Sequence, residues 1–186
     1  MKIGDADILI LPGLGGGRSS PDYWYLRWRE RMATARVVEQ ENWDDPDPSD
    51  WIIGLNREIA RCRRPIVLVA HSAGALVIAT AFCDTTLKGN IAGAFLVAPA
   101  DPVRGSVETP ALRPFKPTPT GPLPFPSMLI ASRDDPWCDW DAAAGMALDW
   151  GCELADAGNA GHIDAESGHG PWPEGMVMFA RMMSRL

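Results

Sequence analysis

Cysteine, histidine and long apolar runs are all scarce in this 186-residue chain, and each scarcity removes a class of function. The four cysteines, Cys62, Cys83, Cys138 and Cys152, form no Cys-x-x-Cys pair and have no histidine at ligand spacing, so neither a zinc site nor a redox motif is written; no metal and no cofactor are expected. They read as free thiols in a reducing compartment. No run approaches the roughly 18 apolar residues that a membrane span needs, and residues 1–7 carry two acids and no apolar signal core. The expectation is a cytoplasmic protein with no membrane partner. Basic residues are outnumbered 17 to 24, and the resulting net charge of −7 repels phosphate polyanions, so no nucleic-acid partner is expected. What is left has an ordinary globular composition, 46% hydrophobic and 22% charged, in a chain long enough to bury a core unaided. One domain spanning 1–186 is expected.

Short β-branched runs alternate with amphipathic ones along the whole chain. Strands are expected at 6–11, 36–39, 66–71, 91–98, 127–132 and 152–157, and helices at 21–33, 51–61, after residue 72, at 140–150 and at 173–186. Asp47 followed by Pro48 has the composition of a helix start, a carboxylate to accept a free N–H and a proline in the first turn. This alternation argues for a mostly parallel sheet of about six strands covered by helices on both faces. Residues 99–126 break the rhythm with nine prolines, which predict an extended surface excursion without regular helix or strand, placed to cover a site or merely to connect.

The centre of the chain is Ile66 to Gly74, Ile-Val-Leu-Val-Ala-His-Ser-Ala-Gly, running into Ala75-Leu76-Val77-Ile78. A buried strand that turns sharply into a helix presents the serine at the turn on a strained backbone, provided that the residues two before and two after are small. Ala70 and Gly74 meet that condition, and Ser72 is the candidate nucleophile. In a parallel sheet, sites form beyond the carboxyl ends of strands. The residues that follow strands are a glycine loop after the first, Ser72 after the third, Asp134 and Asp135 after the fifth, and His162 or His169 after the sixth. A serine needs a base to take its proton, and the base needs a carboxylate to hold its tautomer, so the chain order Ser…Asp…His supplies a complete set.

The residue types alone barely separate Asp134 from Asp135. His162, directly behind the last strand, is better placed than His169, and His71 is expected to pack beneath the turn. The oxyanion formed on attack needs two backbone donors, expected from Ala73 and from Leu14, whose flanking glycines allow close approach. The glycine loop also invites a nucleotide-binding reading, but Arg18 stands where the third glycine of the dinucleotide fingerprint belongs, and no Gly-Lys-Ser/Thr follows. Arg18 is expected to be a solvated loop arginine, the alternative being contact with a substrate carboxylate.

Pro-Gly-x-Gly-Gly-Gly near the start, a Trp-x-x-x-Trp helix, Ala-His-Ser-Ala-Gly, Ser-Arg-Asp-Asp-Pro-Trp, Ala-Gly-His-Ile and the ending Ser-Gly-His-Gly-Pro-Trp-Pro-Glu-Gly together resemble the small α/β-hydrolases related to retinoblastoma-binding serine hydrolase, in particular its bacterial esterase branch. The resemblance runs over nearly the whole chain. It implies a minimal three-layer α/β-hydrolase fold without a separate cap domain, Ser72 as nucleophile, Asp135 as acid and His162 as base. Trp137 and Trp172, with Pro171 and Phe115, are expected around a pocket for a small acyl substrate. The expected reaction is hydrolysis of esters, thioesters or activated amides through an acyl-enzyme. The alternative class is a non-catalytic interaction module on a hydrolase scaffold, which would take a protein partner.

Overall fold

The structure, a computed structural model, describes residues 1–17, 20–83 and 89–186. Six strands form one sheet: β1 (Asp7–Leu11), β2 (Ala35–Val37), β3 (Ile66–His71), β4 (Ile91–Val97), β5 (Ser127–Ala131) and β6 (Glu153–Asp156). Their spatial order is β2-β1-β3-β4-β5-β6, and every neighbouring pair is parallel. Parallel strands need helical crossovers, which cover both faces and leave the middle strands no solvated side. That is why β1, β3 and β5 are buried at every position.

The two faces follow the period of two. Leu9, Leu68, Leu96 and Leu129 point into a core shared with helices α2 (Pro48–Arg61), α3 (Ala73–Cys83) and α5 (Trp140–Asp149). Ile8, Val67, Phe95 and Met128 point into the opposite core, built with α1 (Trp24–Arg31) and the C-terminal helix α6 (Pro173–Met183). The start of α2 is as expected: the Asp47 carboxylate accepts the Ser49 N–H at 2.7 Å, with Pro48 in the first turn. β3 to α3 takes no connecting residue other than Ser72.

The proline-rich stretch departs from expectation. It holds a helix, α4 (Pro102–Glu108), and a 3-10 turn, Pro110–Phe115, rather than a wholly extended excursion. Pro102 and Pro110 open these elements, and Pro114 lies within the 3-10 turn. Pro102 occupies the first helical turn, where no N–H is needed, and the Asp101 carboxylate accepts the Val103 N–H at 2.7 Å. Nor does the stretch lie only on the surface, since Leu112, Phe115, Leu123 and Phe125 are all buried. The remaining elements match their expected spans closely, apart from α1, which begins at Trp24 instead of 21, α2, which begins at Pro48 instead of 51, β2, which ends at Val37 instead of 39, and α6, which stops at Met183.

Strand order reverses at β1. The chain steps from β1 outward to β2, then returns to lay β3 on the other side of β1. At the carboxyl end of that pair, Leu11 stands opposite Ala70, so the loop after β1 and the turn after β3 open side by side. A crevice at such a reversal is the usual place for a ligand in an open parallel sheet.

Candidate active site

Ser72 sits at that crevice in a left-handed conformation, φ 56°, which a non-glycine residue adopts only where the surroundings hold it. The surroundings here are specific. A Cβ on Gly74 would collide with the Leu11 carbonyl oxygen and lie 2.8 Å from that of Pro12, so helix α3 can start this close to β1 only with glycine at that position. Ala70, two residues before the serine, is wholly buried and packs without difficulty.

Ser72, His162 and Asp135 come together in one hydrogen-bonded chain. His162 Nε2 is 2.9 Å from Ser72 Oγ, and His162 Nδ1 lies 2.9 and 3.0 Å from the two Asp135 carboxylate oxygens. A carboxylate accepts, so Nδ1 carries the proton and the Nε2 lone pair faces the serine hydroxyl. Asp135 is buried and its Oδ1 also accepts the Trp137 N–H at 2.8 Å, which fixes the carboxylate from below.

The two aspartates divide cleanly. Asp134 faces away and ties a turn together, accepting from Ser132 Oγ and from the Gly161 N–H, both at 2.8 Å, and these bonds hold its carboxyl below the usual range. The two histidines divide as well. His169 pairs its Nδ1 with Ser167 Oγ at 3.2 Å and borders a separate surface recess with Pro171 and Trp172.

His71 lies beneath the turn as expected but not inertly. Its Nε2 is 2.8 Å from the His162 carbonyl oxygen, and its ring packs 4.7 Å from that of His162. Burial, reinforced by the neighbouring His162, pushes its pKa down to about 3, so the ring is neutral.

Leu14 and Ala73 are the first residues of a 3-10 turn and of α3, so neither N–H has a partner within its own element. Gly13 links the two places: a Cβ there would fall 3.3 Å from the Ala73 nitrogen. Arg18 lies outside the described residues.

A cavity of about 590 Å³ opens over Ser72 and His162, bordered by Leu14 on one side and by Pro136 and Trp137 on the other. Thr109 and Leu112, from the proline-rich stretch, also line it. Tyr23 and Tyr25 form an aromatic wall, with the Tyr23 hydroxyl donating to Glu166 at 2.9 Å, and burial raises the Tyr25 phenol far above its ordinary value. Of the two tryptophans expected here, Trp137 is present, its ring 6.3 Å from that of His162. Trp172 is not. It is 3% exposed, packed between Trp24 at 5.0 Å and Trp28 at 6.1 Å in the core under α1 and α6. Phe115 likewise turns inward, against Trp51.

Tyr25 was missed because it lies inside the amphipathic pattern of α1, and Leu112 because it lies in the proline-rich stretch read as a surface excursion. Chemically, a serine with an aligned base, two amides at element starts close by and an apolar cavity above it can carry acyl transfer.

Among solved structures, a YdeN-like hydrolase of Pectobacterium atrosepticum is 32% identical to this chain, with a TM-score of 0.83 over 96% of this chain and 90% of that one. The ydeN gene product of B. subtilis is 20% identical, with a TM-score of 0.74 over 96% of this chain and 99% of that one. Esterase 2 of Thermogutta terrifontis, solved phosphonylated by cyclosarin, is 15% identical, with a TM-score of 0.71 over 100% and 85%. No curated protein matches the sequence. The fold is that of the α/β-hydrolases, with no separate cap domain among the described residues. With the serine hydrolase family model matching residues 8–181 and the YdeN-like hydrolase aligned over nearly its whole length, the chain belongs to the serine hydrolase family.

Proposed function

We propose that the protein is an esterase-like serine hydrolase acting on small acyl esters, with thioesters and activated amides as related substrates, in the manner of the bacterial relatives of retinoblastoma-binding serine hydrolase. The observation that carries this is the chain Ser72 Oγ, His162 Nε2, His162 Nδ1, Asp135 carboxylate, each link near 2.9 Å, at the floor of an apolar cavity.

In this reading His162 takes the Ser72 proton as Oγ attacks the acyl carbonyl, and Asp135 stabilises the imidazolium that forms. The N–H groups of Ala73 and Leu14 receive the oxyanion, and removing one such donor typically costs about 10²–10³ in turnover. His162 then gives its proton to the leaving alcohol, leaving an acyl-Ser72 ester. A water deprotonated by His162 attacks that ester, and the acid departs with Ser72 restored.

Trp137, Leu112 and the two tyrosines give the acyl or aryl group an apolar wall. The Thermogutta esterase that shares the fold reacted with a phosphonylating agent, and the same chemistry supplies the test. A fluorophosphonate probe is expected to label the purified protein once, and Ser72→Ala is expected to abolish both labelling and turnover of a p-nitrophenyl ester. No labelling, or labelling undiminished in Ser72→Ala, would overturn the reading and leave a non-catalytic module on a hydrolase scaffold.

A further inference from the structure

The loop that carries His162 turns left-handed on both sides of it, with Gly161 at φ 56° and Ile163 at φ 50°. For a β-branched residue the left-handed region is an outlier, and such a backbone lasts only where its neighbours pin it. Two consecutive carbonyls are pinned here. The His162 oxygen lies 2.8 Å from His71 Nε2, and the Ile163 oxygen accepts from Trp24 Nε1 at 2.9 Å. A carbonyl oxygen can only accept, so His71 carries its proton on Nε2 and donates. That commits the Nε2 proton to the backbone of the base, although the ring also borders the cavity.

The connection is short in a way that matters for alignment. His71 is bonded through one peptide to Ser72, and Ser72 Oγ meets His162 Nε2 at 2.9 Å. Nucleophile, base side chain, base backbone and the His71 ring therefore close a single small loop of bonds that sets the distance between serine and base. The His71 ring cannot drift, because it is 4% exposed and packed against Tyr25 at 5.6 Å and Trp24 at 6.1 Å.

We propose that His71 is a positioning residue: by donating from Nε2 to the His162 carbonyl it holds the backbone of the base so that His162 Nε2 stays within hydrogen-bonding distance of Ser72 Oγ, with Trp24 holding the next carbonyl in the same way. Its neutrality suits this task, since a second cation 4.7 Å from His162 would oppose the imidazolium that forms during acyl transfer. The kinetic consequence rests on the hydrolase reading of the site, whereas the structural one does not.

The test compares His71→Gln, whose side-chain amide can donate from about the same place, with His71→Met, which fills similar space without a donor. Long-range ¹H–¹⁵N spectra of the histidine rings are expected to show His71 protonated on Nε2 and His162 on Nδ1 in the parent, a mixture of His162 tautomers in His71→Met, and the single parental tautomer in His71→Gln. On a p-nitrophenyl ester, His71→Met is expected to lose about 10- to 100-fold in kcat with KM little changed, and His71→Gln to recover most of it. Should His71→Met fail to fold, His71→Asn, whose amide is too short to reach, takes its place. The proposal is overturned if His71 is protonated on Nδ1 in the parent, if the donor-less variant keeps the parental His162 tautomer and kcat, or if His71→Gln does no better than it. The spectra are read without substrate, so a parent inactive on esters would sink the hydrolase reading while the positioning role is still decided.

Discussion

A Cβ built on Gly13 would lie 2.7 Å from Ser72 Cβ and 3.1 Å from Ser72 Oγ, so the loop after β1 presses directly on the serine. The serine has nowhere to retreat, because its backbone is held in the left-handed region between β3 and α3. Gly13→Ala is therefore expected to displace Ser72 or the adjacent Leu14 amide, lowering kcat by about 10²-fold while shifting the melting temperature little. Gly74→Ala meets a different neighbour, the backbone carbonyl of Leu11 at the end of a central strand. It should show up instead as a large drop in the denaturant midpoint. A Gly13→Ala enzyme with parental kcat would mean that the loop yields freely.

The two histidines beyond β6 make opposite predictions. His162 reaches Ser72 Oγ, whereas His169 is occupied by Ser167 on the far side of the loop. His162→Ala should therefore abolish ester turnover and His169→Ala should leave kcat close to the parent's. Loss of activity only in the second variant would place the base on the wrong residue.

Asp135 and Asp134 are neighbours in sequence with separate duties. Asp135→Asn keeps the shape but lets the amide donate toward His162, which favours the wrong tautomer; in the well-studied serine proteases this costs about 10⁴ in kcat. Asp134→Ala removes the Oδ1 that accepts from Ser132 Oγ and the Gly161 N–H, so its cost should fall mainly on thermal stability. Comparable kcat losses in the two variants would refute this division.

Much of this was legible from residues alone, for a physical reason. The strands before Ser72 and Asp135 are buried on both faces, so they read as continuous apolar runs, whereas β6, before His162, is an exposed edge strand that only its place in the alternation marks. The sharp turn announces itself through small residues at Ala70 and Gly74. What stayed hidden depends on how helices and loops pack. Nine prolines in 99–126 read as breakers, but Pro102 and Pro110 stand at element starts, where a missing N–H costs nothing. Trp172 and Trp137 are alike in composition and in closeness to candidate residues, and only the packing of α1 against α6 sends one into the core and the other to the cavity. His71 read as filler because the carbonyl it meets is 91 residues away in the chain.

His71 also makes stability depend on pH. Folded, the ring resists protonation until about pH 3, whereas in the unfolded chain it titrates near 6.5. Between those values the unfolded state binds the extra proton, so stability rises with pH across the window. The contribution is complete above about pH 6.5 and is lost progressively as pH falls toward 3, amounting to a few kcal/mol at most. Asp7 acts in the same direction but lower. Burial pushes its carboxyl up, and the N–H groups of Arg64 and Arg63 with the charges of Arg36 and Arg64 more than offset this, so its share is lost only below about pH 4. Melting temperatures measured between pH 7 and pH 5 should therefore fall more steeply in the parent than in His71→Gln. Equal slopes would mean that the folded ring already carries a proton.

Trp137 and Trp172 offer the sharpest separation of substrate binding from folding. Trp137 borders the cavity beside His162, and its N–H anchors Asp135 through the backbone, which a side-chain truncation leaves in place. Trp137→Ala should thus remove apolar contact with an aryl or acyl group and raise KM by about tenfold, the worth of roughly 50 Å² of apolar surface. kcat should change less, because the serine, base and acid are untouched. Trp172 is enclosed by Trp24, Trp28 and Phe95. Its truncation leaves a void that the neighbouring rings cannot fill, and Trp172→Ala should cost about 3–5 kcal/mol of stability while the fraction that remains folded keeps a near-parental KM. Urea titrations alongside Michaelis–Menten curves at a temperature where both variants are folded measure the two effects independently. A Trp172→Ala protein with normal stability and raised KM would put the aromatic wall of the cavity on the other side of the sheet.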